Sequence, residues 1–288
     1  MIDVALVPGE IVEKKVSASQ VVVVIDVLRA STTIITALEA GASSVIPVVE
    51  TEEAISLSAS LGEQTVLGGE RQGRRLLGFH LGNSPLEYTP EIVRGRVVVM
   101  TTTNGTFALK KVKGAHAIAV AAFRNAAAVA AMLRAHLSQG RQVLLVCAGT
   151  ERRFTLEDAC LAGLLVELVT GGSEPGASAL VSGKECERAD EKESECETES
   201  ECEMESGIRE ISTREISAST TGLTDSAWAA LSLWRAVERN PYNAVTRSRH
   251  GQRLIEMGFG ADVEFCARLS DCDVIPILQD GRLIKLGG

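Results

Sequence analysis

The stretch VVVVIDVLRASTT at 21–33 sets the strongest limit on how this chain folds. Its continuous β-branched run is too short to span a membrane and too apolar for a surface, so it reads as a strand buried on both faces, as inside a parallel sheet. The run stops on Asp26, and Arg29, Ser31, Thr32 and Thr33 follow at once. Ile34, Ile35 and Leu38 then recur at helical spacing, with Gly41 placed to end the helix. A strand therefore hands over to a helix across a polar cluster. Hydroxyls and free N–H groups at that helix start suit an anion, and Asp26 suits a metal ion or attack on phosphorus. Helix capping alone also explains hydroxyls and an acid at such a position.

The same rhythm continues along the chain. Further strands are expected at 44–49, 65–67, 97–100, 116–120 and 142–146, with helices at 52–61, 125–137, 156–170 and 224–238. Strands alternating with helices imply a three-layer α/β fold, a largely parallel sheet with helices on both faces and ligands beyond the carboxyl ends of the strands. Apolar runs at 274–278 and 283–286 flank Asp280-Gly281, which predicts a C-terminal antiparallel hairpin forming an edge of the sheet. The 288 residues, 45% of them hydrophobic, fit one such domain over 1–288 or two α/β lobes. Residues 184–217 break the pattern: they are dense in Glu and lack aromatics, so an acidic, disordered insertion between two helices is expected. Cys186, Cys196 and Cys202 within it lack the paired spacing of a zinc site.

The formal charge of -9 argues against nucleic-acid and anionic-membrane partners. No apolar run approaches the ~20 residues of a spanning helix, and no signal peptide opens the chain. Seven cysteines without a CxxC pair read as free thiols. A soluble, cytoplasmic protein is expected, and a homo-oligomer is compatible with that.

Further polar clusters follow strand ends or glycine-rich turns. Gly68-Gly69-Glu70-Arg71 offers a metal-ligating acid and a guanidinium able to fork onto phosphate or carboxylate, although a surface ion pair after a turn has the same composition. Gly82-Asn83-Ser84-Pro85 is a turn by composition. Thr101-Thr102-Thr103-Asn104-Gly105-Thr106 makes a dense set of donors for phosphate oxygens, with Gly105 allowing close backbone approach; it lacks the spacing of a P-loop. After Cys147-Ala148-Gly149-Thr150, Thr155 and Asp158 have the spacing of a capping box, while Glu157 and Asp158 also suit Mg²⁺. Ser248-Arg249-His250-Gly251 places a cation and a histidine before a helix, as a proton donor to a leaving alkoxide or as a surface cap.

Taken together, DVLRASTTI, GGER, GNSPLEY, TTTNGT, CAGT with LEDA, SRHG and DVEFCA occur in order across nearly the whole chain, which resembles the 2-phosphosulfolactate phosphatase family. That resemblance implies a Mg²⁺-dependent phosphatase of α/β fold, converting 2-phospho-3-sulfolactate, a small anionic substrate, to 3-sulfolactate and phosphate on the route to coenzyme M. On this view Asp26, Arg29, Glu70 and His250 are the catalytic candidates, and some of Asp26, Glu70, Glu157 and Asp158 hold the metal. The phosphate is expected against Ser31, Thr32 and Thr33 and the loop of Thr101, Thr102, Thr103, Asn104 and Gly105, with Asn83 and Ser84 nearby. Arg29, Arg71 and Arg249 are expected at the substrate's carboxylate and sulfonate. The chain departs from the family pattern in having His80-Leu81 where an acid precedes GNSP, and in its acidic insert. Another phosphorylated hydroxy acid as substrate, or a non-catalytic phospho-metabolite binder, stays open.

Overall fold

The computed structural model describes residues 1–11, 16–171 and 222–287, so the acidic stretch at 184–217 and its cysteines lie outside the described residues. The β-branched run becomes β2 (Gln20–Ile25), buried from Val21 onward, and hands over to α1 (Ala30–Glu39) as its spacing predicts. An unanticipated N-terminal strand, β1 (Ile2–Ala5), precedes it. Then come β3 (Ser44–Val48), α2 (Thr51–Leu61), β4 (Thr65–Arg71), β5 (Arg74–Arg75), α3 (Pro90–Val93), β6 (Val97–Thr101) and α4 (Gly105–Lys111). The chain continues through β7 (Ala117–Ala121), α5 (Ala126–Ser138), β8 (Gln142–Cys147) and α6 (Leu156–Thr170). Beyond residue 222 come α7 (Asp225–Ala236), α8 (Pro241–Arg247), α9 (Arg249–Glu256), α10 (Gly260–Cys266), β9 (Pro276–Gln279) and β10 (Arg282–Lys285). β4 runs past its expected end because Gly68 lies inside the strand, where any side chain would meet the Tyr88 hydroxyl; this glycine answers a packing demand, not a turn.

The strands form one mixed, mostly parallel sheet in the order β1-β8-β2-β7-β9-β10-β3-β6-β4-β5. β1, β8, β2 and β7 make one parallel block, and β3, β6 and β4 make a second. The β9–β10 hairpin forms as predicted, but it is not an edge. It lies between the blocks, β9 antiparallel to β7 and β10 antiparallel to β3. Each block would otherwise end on an open strand edge, and the hairpin satisfies both. Three successive antiparallel steps also mean that the two blocks run in opposite senses.

Helices cover both faces. Val21, Val23, Ile25 and Leu145 pack under α5, α6 and α7, while Val22, Val24 and Val120 share a core with α1 and with Val45, Val66 and Val98 of the second block. A smaller cluster of Val48, Ala54, Leu67, Phe79 and Val99 lies beneath α2. One core is common to both blocks, and the carboxyl ends of β2 and β4 meet at one cleft despite their opposite directions.

Candidate active site

Asp26 sits at the end of β2, where Asp158 of α6 fixes the chain. One Asp158 oxygen accepts from the Val27 N–H at 2.9 Å and the other from the Gly149 N–H at 3.0 Å. The predicted capping box does not form: Thr155 makes no cap hydrogen bond, because Asp158 ties together two strand-to-helix turns instead of closing its own helix. The hydroxyls after Asp26 are likewise engaged by backbone. Ser31 Oγ accepts from the Asp26 N–H at 2.9 Å, Thr32 Oγ1 donates to the Val27 carbonyl at 2.9 Å, and Thr33 Oγ1 donates to the Arg29 and Asn83 carbonyls at 3.0 Å. All three side chains are buried and shape the turn; none lines the cleft.

From the second block, Glu70 closes the opposite wall. Its Oε1 accepts from the Thr103 N–H at 3.1 Å and hydroxyl at 3.0 Å, and its Oε2 accepts from the Gly73 N–H at 2.6 Å. Arg71 turns away, donating to the Glu70 and Val49 carbonyls and to Thr101 Oγ1, which itself donates to Val49. Neither Arg71 nor Thr101 reaches the cleft. Gly105 is required by a close approach: a Cβ there would stand 2.9 Å from Asp26 Oδ2 and 3.0 Å from the Ala30 Cβ, so only glycine lets α4 start against Asp26. His80 accepts the Leu67 N–H on Nδ1 at 2.9 Å and serves the strand.

Arg29 is held from several sides. Its Nη1 donates to Asp262 Oδ2 at 2.6 Å, its Nη2 to the Gly73 carbonyl at 3.1 Å, and the guanidinium carbon lies 4.3 Å from the centre of the Phe259 ring. Ser84 Oγ donates to the other Asp262 oxygen at 2.7 Å. Asp262, only 3% exposed, is thus part of the site, although sequence reasoning named it only within DVEFCA. Its one sequence signal is an acid on the buried face of a short helix; the partner that explains it lies 233 residues away.

The cleft encloses about 70 Å³. Asp26, Arg29 and His250 line it from one side, and Glu70, Asn83, Thr102, Thr103 and Asn104 from the other. Arg249 and Glu157 instead line an adjoining cavity. Burial, reinforced by Asp158 and then Glu70, pushes the Asp26 carboxyl up to about 8. Burial and Asp158 do the same to Glu157, also to about 8, while Asp158 rises by burial to about 6 against the pull of its two N–H donors. Burial holds His250 below the usual imidazole range, and Arg29 and Arg253 push the same way. Asn83 Oδ1 and His250 Nδ1 are buried without a hydrogen-bond partner.

Among the described residues no three His, Cys, Asp or Glu side chains converge as a ready metal cage. A Mg²⁺ ion needs less: one or two carboxylates, with waters and substrate phosphate completing its shell. Asp26 and Glu70 on facing walls of the cleft fit that demand, and buried carboxylates that repel one another without a cation among them are the electrostatic setting a divalent ion would relieve.

Comparisons with known proteins give the family. A family model described as 2-phosphosulpholactate phosphatase matches residues 5–201 and 207–281. A protein of Carboxydothermus hydrogenoformans, named as a probable 2-phosphosulfolactate phosphatase, is 36% identical over 285 residues, covering 98% of this chain and 96% of its own. A protein of Thermotoga maritima with the same name is 36% identical over 284 residues, covering 99% and 98%. One of Symbiobacterium thermophilum, again of that name, is 34% identical over 270 residues, covering 93% and 95%.

Proposed function

Because the chain belongs to the 2-phosphosulfolactate phosphatase family, we propose that it hydrolyses 2-phospho-3-sulfolactate to 3-sulfolactate and phosphate with Mg²⁺ as its cofactor. The supporting observation is the content of the cleft: a buried acid, a second acid opposite, hydroxyl and amide donors and a fixed arginine around a space of about 70 Å³. That space admits a phosphoryl group among these donors.

In this reading Asp26 and Glu70 hold the ion, whose chemistry is to neutralise charge on the phosphoryl oxygens as the ester bond breaks. Thr102, Thr103 and Asn104 would orient those oxygens, and the free Oδ1 of Asn83 would accept a hydrogen bond from a water in the cleft. Arg29, immobilised by Asp262 and Gly73, presents a fixed positive charge to the substrate. His250, held neutral and with Nδ1 unengaged, moves a proton at the leaving oxygen. Asp158, Ser31, Thr32, Thr33, Ser84 and Arg71 act behind the cleft by fixing its walls. A cytoplasmic enzyme on the route to coenzyme M belongs to the same proposal; among the described residues no helix is long and apolar enough to cross a membrane.

Another phosphorylated hydroxy acid would use the same cleft. A non-catalytic binder is disfavoured, since buried carboxylates repel a phosphate that comes without a cation. The test is phosphate release with Mg²⁺ across phosphorylated two- and three-carbon acids, with and without a sulfonate. Fastest release from 2-phospho-3-sulfolactate, abolished by chelation and restored by Mg²⁺, is expected; no release from any member of the panel overturns the proposal.

A further inference from the structure

A second cavity of about 390 Å³ opens beside the cleft that Asp26 and Glu70 line. The two share Thr150, Glu151, His250 and Arg253 and so adjoin one another. Four arginines line it: Arg153, Arg247, Arg249 and Arg253. Arg247 pairs with Glu238 at 3.0 Å, whereas the guanidiniums of Arg153, Arg249 and Arg253 have no ion pair or hydrogen bond among the described residues. Two acids, Glu151 and Glu157, share the lining, which leaves an excess of positive charge. An acidic protein of net charge -9 has thus gathered unpaired guanidiniums around one hollow.

Between them the walls mix the apolar Phe154 and Leu156 with polar groups, some of which are unsatisfied. The first turn of α6 and the first turn of α9 both open onto the cavity, through Thr155 to Glu157 and through Ser248 to His250, so the positive ends of two helices face it. Thr155 Oγ1 and Glu157 Oε2 are buried without a hydrogen-bond partner. Unsatisfied buried polar atoms are costly unless a ligand or water completes them.

We infer that this chamber is the subsite for the acidic tail of the substrate, with Arg153, Arg249 and Arg253 as its specificity-determining residues. The inference rests on the proposed hydrolysis, whose cleft adjoins this chamber through Thr150, Glu151, His250 and Arg253. Planar guanidiniums fork onto the oxygens of a sulfonate or carboxylate, which a tail lacking an acid does not offer.

The test measures binding, not turnover. Isothermal titration of 3-sulfolactate, malate and lactate compares a sulfonate tail, a carboxylate tail and none. The wild-type protein is expected to bind 3-sulfolactate at least tenfold tighter than lactate, and Arg153→Ala/Arg249→Ala to reduce that preference to less than about threefold. Circular dichroism melting checks folding, and the single Arg153→Gln and Arg249→Gln variants, at exposed positions, replace the double variant if it unfolds. Malate binding as tightly as 3-sulfolactate still supports an acid chamber, one indifferent to sulfur. A wild-type protein without preference, or variants that keep it, overturns the assignment. Preference for the acidic tail without phosphate release from 2-phospho-3-sulfolactate would leave the chamber standing and remove the hydrolytic reading.

Discussion

Asp26 is asked to be charged in a place that disfavours charge. Burial and the neighbouring Asp158 and Glu70 raise its carboxyl to about 8, so binding a cation beside it must favour the ionised form and release protons near neutral pH. Asp26→Asn is expected to remove phosphatase activity while leaving the fold intact, as steady-state assay and circular dichroism would show; a folded variant with wild-type turnover excludes Asp26 from the chemistry. Arg29 poses a different problem, because its charge is already matched by Asp262 at 2.6 Å. Asp262→Ala leaves a buried guanidinium without its partner and should cost about 3–5 kcal/mol of stability. Asp262→Asn keeps the shape, and it should lower kcat/KM by about ten- to hundredfold, as should Arg29→Lys, through loss of a charge-assisted hydrogen bond. Since the two residues act as one unit, Asp262→Asn combined with Arg29→Lys should lose far less than the product of the single losses. Purely multiplicative effects in that cycle would show that Asp262 does not work through Arg29.

Elements carry the site as much as side chains do. The start of α4 rests on Asp26 only because residue 105 has no side chain, so Gly105→Ala must push the helix or the carboxylate aside. A fall in turnover of at least tenfold, with only a small change in melting temperature, is expected; unchanged kinetics would mean the contact is not needed. The hairpin offers a second test at this scale. Leu283 of β10 is fully buried and pairs with Val45 where the second block begins. Leu283→Ala should therefore cost about 2–5 kcal/mol, the range for a well-packed core position, measured by denaturant unfolding. A loss below about 1 kcal/mol would suit an edge strand and contradict the central placement. The strand-turn-helix units were legible because burial on both faces and helical spacing are local properties, as in β2 and α1. Gly68 was not, since its packing against Tyr88 involves a residue twenty positions away.

At the scale of the molecule, Asp26, Glu157 and Asp158 form a buried acidic group whose protons belong to the cluster. Each carboxyl is raised in the folded state. The unfolded chain releases its protons through the ordinary carboxylate range near pH 4, while the folded chain keeps them until about pH 6 to 8. The unfolded state thus binds fewer protons across that window, and stability falls as pH rises through it. In chelator the melting temperature should be higher at pH 5.5 than at pH 8 by several degrees, and Glu157→Gln should flatten the slope. Mg²⁺ added at pH 8 should restore part of the loss if Asp26 and Glu70 hold it. A profile that is flat or rises from pH 5.5 to 8 would show that the acids are not buried together as described.

The sequence alone determined most of the central strands and longer helices, though not β1 or the short elements β5, α3, α8 and α10, and also that the sheet is largely parallel and that polar clusters gather at strand ends, because each follows from periodicity, burial pattern and turn chemistry within a few residues. Its ordered motifs were also enough to reveal the family. Tertiary structure decided which of those polar groups face a ligand. Ser31, Thr32, Thr33 and Arg71 have the composition of a phosphate site, yet the backbone of neighbouring turns engages them, while Asp262, Arg153 and Arg253 gain their places from partners or cavities assembled across the chain. It also decided that the hairpin joins two blocks of opposite direction and so brings Asp26 and Glu70 face to face. A hydrogen bond or an open strand edge is satisfied by whatever the fold brings near, and that proximity is a property of the packed core, not of residue spacing along the chain.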